Sequence, residues 1–325
     1  MAEAETRRER PRVFATRRFP ERVRGELEAL FDLDVNDSEW PPSRAELLDR
    51  ARGCDGLMTM LTDRVDDELI DAAGPRLRVV ANFAVGYDNV DVPACTRRGV
   101  LVSNTPDVLT QATAELTMAL LLALVRRVAE GDRLVRRRES WIWAPNMLLG
   151  HGLEGRRLGV VGYGRIGRRV ASLAQAFGME VVHASRTSGL PLDRLLATAD
   201  VVSLHLPLSA QTRHLIDERA LSLMKPTAVL VNTSRGPIVD EAALARALAA
   251  GRIAGAALDV FEREPEVTEE LLSFENVVLA PHLGSATLET REAMGMLCVE
   301  ALRAVLLENR APANALNPEA LRAPP

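Results

Sequence analysis

The chain has 325 residues, 47% of them hydrophobic and 26% charged, with mean hydropathy near zero. That is the composition of a globular protein, and the length exceeds what one core fills comfortably, so two domains are expected. A formal net charge of -5 gives no reason to expect nucleic acid, and the longest apolar run, Leu116 to Val125, is about half of the ~20 residues that cross a bilayer.

The three cysteines, Cys54, Cys95 and Cys298, lie far apart and form neither a disulfide framework nor a metal-ligand spacing, which suits a reducing cytoplasm. No metal is expected. The N-terminal stretch lacks the apolar region of an export signal, and Glu3, Glu5 and Glu9 argue against a transit peptide. The basic stretch Arg7 to Arg18 reads as a solvated tail, and Lys225 is the only lysine.

From residue 11 to 103, short β-rich runs alternate with helical patterns. Strands are expected at Arg12–Ala15, Gly56–Met60, Leu77–Asn82 and Val100–Ser103, and helices at Glu21–Leu30, Ser43–Ala51 and Asp66–Ala73. A long helix is then expected from Ala112 to about Arg138. Further strands are expected near Val160, Glu180, Asp200, Ala228, Gly255 and Asn276, enough for a doubly wound dinucleotide domain. One more helix, about Leu288 to Glu308, has too few partners to stand alone and is expected to pack back on the first domain. The fold class is therefore α/β with two Rossmann-like parallel sheets. The domains are expected at 1–103 plus 289–325 and at 104–288, the second being the dinucleotide domain.

Gly162-Tyr-Gly164-Arg165-Ile166-Gly167 follows the apolar run Leu158–Val161 and opens a helical pattern. In that setting the first glycine permits the tight turn, the second admits a pyrophosphate, and the third lets helix and strand lie close. The helix N-terminus supplies N–H groups for the anion. An NAD site places Asp or Glu at the end of the next strand; here Ser185-Arg186-Thr187 stands there instead. Those side chains can donate to a 2′-phosphate, so NADP(H) is favoured, with NAD(H) possible.

Three residues then follow successive strands: Arg235 in Asn-Thr-Ser234-Arg-Gly, Glu264 in Asp259 to Pro265, and His282 in Pro-His-Leu-Gly284-Ser. Taken singly, each also fits a structural role. Together they supply what hydride addition to a keto acid requires. His282 would be the proton donor, Glu264 the carboxylate that holds and charges it, and Arg235 the grip on the substrate carboxylate and carbonyl. His151, His183, His205 and His214 carry weaker signals.

With these motifs in place, the chain resembles the D-isomer-specific 2-hydroxyacid dehydrogenases, in the glyoxylate/hydroxypyruvate reductase branch. The resemblance spans about residues 54 to 320. It rests on Asn82–Asp91, Asn104–Glu115, the glycine loop, His205–Leu208, Asn232–Glu241, Asp259–Pro265 and Pro281–Ser285. It implies a substrate domain split by an inserted coenzyme domain, with Arg235, Glu264 and His282 catalytic. It further implies that the Val85 and Gly86 N–H groups bind the substrate carboxylate. Coenzyme contacts would come from Gly162, Gly164, Arg165, Ile166, Gly167, Ser185, Arg186, Thr187, Pro207, Thr212, Thr233, Ser234, Asp259 and Gly284, with Asp259 accepting from the nicotinamide amide. Members of the family are usually homodimers joined through the long helix and the arm after it, here Trp141–Pro145. Leu57, Met58, Met60 and the arm would shape a pocket for a small side chain.

Two alternatives share these motifs: an NAD-sensing corepressor-like binding protein and a phosphoglycerate dehydrogenase-type enzyme. The first normally adds long tails, and the second a C-terminal regulatory domain for which the stretch after His282 leaves little room.

Overall fold

The computed structural model describes residues 10 to 321. It divides into two compact units, one of residues 1–109 with 287–325 and the other of residues 110–286.

In the first unit, β1 (Arg12–Ala15), α1 (Glu21–Leu30), β2 (Asp32–Val35), α2 (Arg44–Ala51), β3 (Gly56–Thr59), α3 (Asp67–Ala73), β4 (Val79–Asn82), α4 (Val92–Arg97) and β5 (Leu101–Ser103) alternate along the chain. All neighbouring strands pair in parallel, in the order β2-β1-β3-β4-β5. β3 and β4 are buried along their whole length, as expected where helices cover both faces of a parallel sheet. Ser43, Asp66 and Asp91 accept N–H groups at the starts of α2, α3 and α4, stopping each helix where its sequence supplies a cap.

Sequence periodicity misses β2 and α4. β2 is an edge strand with two apolar residues and no fully buried position, and α4 is six residues long. The basic stretch read as a tail is also corrected within the described residues. Arg12 opens β1, and Arg17 is buried, pairing with Asp63 at 3.1 Å.

The second unit runs α5 (Thr110–Val125), α6 (Val128–Arg136), β6 (Arg157–Val161), α7 (Arg165–Ala176), β7 (Glu180–Ala184), α8 (Leu192–Thr198), β8 (Val201–Leu204), α9 (Glu218–Leu223), β9 (Val229–Asn232), α10 (Glu241–Ala249), β10 (Gly255–Leu258), α11 (Glu269–Ser273) and β11 (Val277–Leu279). Its sheet is parallel with order β11-β10-β9-β8-β6-β7, so the strand order reverses between β6 and β8. Ligands of such sheets bind beyond the strand carboxyl ends at that point.

The single long helix expected from Ala112 is broken. The Val125 carbonyl, which α-helix continuation would bond in series, accepts instead from His151 N–H at 2.8 Å. Arg127 turns left-handed at φ 55°, and α6 starts afresh. The chain then re-enters the first unit as α12 (Leu288–Leu306), capped by Thr287 and packed on β4 and α1. Among the described residues, no helix is long and apolar enough to cross a membrane.

Candidate active site

The loop after β6 has the shape its glycines suggested. Gly162 adopts φ +95°, and a methyl there would lie 2.4 Å from the His205 carbonyl oxygen. A methyl on Gly167 would meet the Gly162 oxygen at 2.2 Å, so α7 lies against the strand only because that side chain is absent. At Gly164, the N-cap of α7, a methyl would meet no heavy atom within 4 Å. Of the three glycines, Gly164 alone is not crowded. A pyrophosphate fits such a loop.

Ser185, Arg186 and Thr187 form the turn after β7. Ser185 Oγ donates to the Ser188 carbonyl at 3.0 Å, while Arg186 and Thr187 are exposed. Their donors face solvent with no acidic side chain among them. Just after β8, His205 Nε2 pairs with Ser203 Oγ at 2.8 Å, and burial pushes the imidazole well below its usual range. The half-buried ring is thereby favoured in its neutral form. Thr212 Oγ1 donates to the Pro207 carbonyl at 2.7 Å, tying down the loop after β8, and Thr233 Oγ1 meets Thr117 Oγ1 at 2.8 Å.

Beyond the carboxyl ends of β9, β10 and β11 stand Arg235, Glu264 and His282, one after each strand. His282 Nδ1 and Glu264 Oε2 are 2.8 Å apart, and both side chains are about one-quarter exposed at 27%. Burial would raise the Glu264 carboxyl. The His282 hydrogen bond and charge, the Phe261 N–H at 3.0 Å and the charge of Arg235 outweigh it, holding the group below the usual carboxylate range. Glu264 is therefore ionised at neutral pH. Such a partner favours the Nδ1–H tautomer of the imidazole and leaves Nε2 outside the pair.

Asp259 organises the histidine loop. Its Oδ1 accepts from Leu283 N–H at 2.6 Å and its Oδ2 from Gly284 N–H at 2.8 Å, and its own carbonyl accepts from His282 N–H at 2.8 Å. It is fully buried, and that desolvation raises its carboxyl even against these donors and the charge of His282. Any further donor must use the lone pairs that remain. Arg235 is half-buried and donates to the Ser234 carbonyl at 2.8 Å, while Asn232 Nδ2 donates to the Arg235 carbonyl at 2.9 Å.

Two anchors are visible only in three dimensions. A methyl on Gly236 would lie 1.8 Å from the Phe261 carbonyl carbon, so the backbone after Arg235 lies directly on the loop that carries Glu264. Glu241, buried at the start of α10, accepts from Glu262 N–H at 2.6 Å and holds the same loop from the other side. No spacing rule would single out Glu241; the NTSRGP motif contains Gly236 but not its reason. The expectation that Leu57 and Met58 shape a pocket is corrected: both are fully buried in the first unit, and only Met60 of that set is half-exposed.

An acid–imidazole pair with a neighbouring guanidinium, beyond the strand ends of a sheet that carries a dinucleotide loop, is the equipment of a nicotinamide-dependent oxidoreductase. Comparison with known proteins gives the same class. The profile "D-isomer specific 2-hydroxyacid dehydrogenase, NAD binding domain" matches residues 118–284. A glyoxylate reductase of Thermococcus litoralis is 46% identical, covering 97% of this chain and 99% of its own length. That of Aeropyrum pernix is 49% identical over 96% and 98%. Among solved structures, an NADPH-dependent glyoxylate/hydroxypyruvate reductase of Sinorhizobium meliloti in complex with NADP and malonate superposes with a TM-score of 0.84, at 36% identity, over 97% of this chain and 99% of that one. The chain belongs to the D-isomer-specific 2-hydroxyacid dehydrogenases.

Proposed function

We propose that the protein reduces a small 2-keto acid, glyoxylate or hydroxypyruvate, to the D-2-hydroxy acid, with NADP(H) preferred to NAD(H). The observation that carries the reading is the 2.8 Å pair of His282 with an ionised Glu264, with Arg235 on the neighbouring strand end. The reductases named above support the substrate class. Ser185-Arg186-Thr187, in place of an acidic residue, supports the coenzyme preference.

When bound, the reduced nicotinamide supplies the hydride. The chain does the rest. Gly162, Gly164 and Gly167 with the N-terminus of α7 cradle the pyrophosphate, Ser185, Arg186 and Thr187 take the ribose phosphate, and Pro207, Thr212, Thr233, Ser234 and Gly284 line the remaining contacts. The Val85 and Gly86 N–H groups, in the first unit, hold the substrate carboxylate. Arg235 polarises the keto oxygen, and as negative charge grows there His282 Nε2 delivers a proton to it. Glu264 stabilises the imidazolium before that transfer and keeps the ring from turning.

Unit 1 is accordingly the substrate domain and unit 2 the coenzyme domain. A homodimer built on α5, α6 and the arm is part of the same proposal: Trp141 and Trp143 stand 58% and 81% exposed, an unusual load of bare aromatic surface. A reducing cytoplasm suits the three free, buried cysteines Cys54, Cys95 and Cys298.

The test is NADPH and NADH oxidation with hydroxypyruvate, glyoxylate and pyruvate in parallel. Fast NADPH oxidation with the first two is the expected result. Equal or better rates with NADH would keep the enzyme and overturn the coenzyme preference. Coenzyme binding without oxidation would move the reading to a nucleotide sensor.

A further inference from the structure

The turn after β4 in the first unit carries two N–H groups, of Val85 and Gly86, that donate to no protein acceptor among the described residues. Their carbonyl partners are treated in the opposite way. The peptide unit that ends in Val85 N–H begins with the Ala84 carbonyl, which accepts from Thr105 N–H at 2.9 Å. The unit that ends in Gly86 N–H begins with the Val85 carbonyl, which accepts from Asn104 Nδ2 at 2.8 Å. The Gly86 carbonyl in turn accepts from Asn82 Nδ2 at 3.1 Å. The three carbonyls of the turn each accept a hydrogen bond, and the two adjacent N–H groups have no protein acceptor among the described residues.

Asn104 is buried, and its main chain is itself held, its carbonyl accepting from Asn314 Nδ2 at 2.5 Å. A carbonyl acceptor can be satisfied only by the NH2 end of the Asn104 amide, so the orientation of that side chain is fixed by its partner. A donor on the oxygen of a peptide group draws charge from its nitrogen and strengthens the N–H at the far end. It also stops the peptide from turning over, which would present a carbonyl to an anion.

We propose that Asn104 is a positioning residue for the substrate carboxylate: its amide, with the Thr105 N–H beside it, orients and polarises the two peptide groups that bind it. The inference rests on the reading of Val85 and Gly86 as carboxylate donors and assigns the residue that makes them so. Asn104 touches no substrate atom in this scheme and acts through the Val85–Gly86 peptide.

The test compares the full-length wild type with Asn104→Ala and with the isosteric Asn104→Asp, which keeps the shape and loses the donor. Oxalate affinity is measured by calorimetry, NADPH affinity by fluorescence, and glyoxylate kinetics alongside. Loss of one such hydrogen bond is expected to weaken oxalate and raise KM for glyoxylate about tenfold. NADPH affinity and kcat should stay within about twofold, and Asn104→Asp should be the worse variant because it adds a like charge. Unchanged oxalate affinity in both variants overturns the proposal. So does an equal loss of oxalate and NADPH affinity, which marks general damage to the fold. A wild type that binds oxalate but reduces no keto acid would remove the proposed function, while an Asn104-dependent oxalate affinity in that protein would still uphold the positioning role.

Discussion

Replacing Gly236 by alanine should separate the Glu264 carboxylate from His282 without touching either. The added methyl would sit 1.8 Å from the Phe261 carbonyl carbon, 1.9 Å from its oxygen and 2.5 Å from Glu262 N, all of them main-chain atoms that no rotamer change can move aside. Ordinary contact begins at 3.4 Å, so the 261–262 backbone must retreat by about 1.6 Å. Glu264 follows, because its Oε1 is bonded to the Phe261 N–H at 3.0 Å while its Oε2 holds His282. A misplacement of about an ångström costs ~10²-fold in rate, and overpacking of this kind costs ~1–3 kcal/mol of stability. The assay is kcat/KM for keto-acid reduction together with the thermal midpoint. Gly131→Ala in α6 is the control: the nearest atom to its methyl is Leu148 Cδ1 at 3.9 Å, and a helical alanine there should gain up to ~1 kcal/mol. A Gly236→Ala enzyme within threefold of wild type, with an unchanged midpoint, would refute the chain of contacts from Arg235 to His282.

His282→Ala should lower turnover by roughly 10²–10⁴-fold, the usual worth of a general acid, and activity within fivefold of wild type would take the imidazole out of the mechanism. Glu264 has a lowered folded-state pKa, so its contribution to stability is complete above the unfolded value of 4.5 and disappears as the pH falls through the lower folded value. Urea midpoints from neutral to acid pH should therefore drop more steeply for wild type than for Glu264→Gln, and parallel curves would contradict the pairing. Arg17 and Asp63 form a pair whose side chains are only 7% and 2% exposed. Arg17→Met should cost ~3–5 kcal/mol, read from denaturant unfolding, because the buried carboxylate keeps only the neutral donors Thr16 Oγ1 and Met60 N–H, and a loss under ~1 kcal/mol would mean those two donors suffice.

Local patterns were enough to read much of this molecule. Each dinucleotide-domain strand is a short, mostly apolar run between turn residues, so β6 to β11 were legible one by one. The glycine loop was legible because crowding at Gly162 and Gly167 is a requirement of the backbone that only one residue type meets. Arg235, Glu264 and His282 stood out only as a set, one after each of three expected strands, and the structure brings Glu264 and His282 to 2.8 Å.

Other features depended on neighbours remote in sequence. β2 exists because β1 offers an edge to pair with, from Arg12–Asp32 to Ala15–Val35, and its own four residues say little. The long helix breaks because His151 takes the Val125 carbonyl, a competitor 26 residues away that periodicity cannot see. Arg17 looks like a tail residue until Asp63 is beside it, and Leu57 and Met58 look like pocket residues until β3 is placed in the middle of its sheet. Asn104 and Glu241 are the same case, ordinary polar residues distinguished by the peptide group each one holds. Periodicity, turn chemistry and reactive side chains are properties of short stretches of chain, and the sequence determines them directly. Which donor meets which acceptor across the fold is a property of closure, and only the tertiary structure decides it.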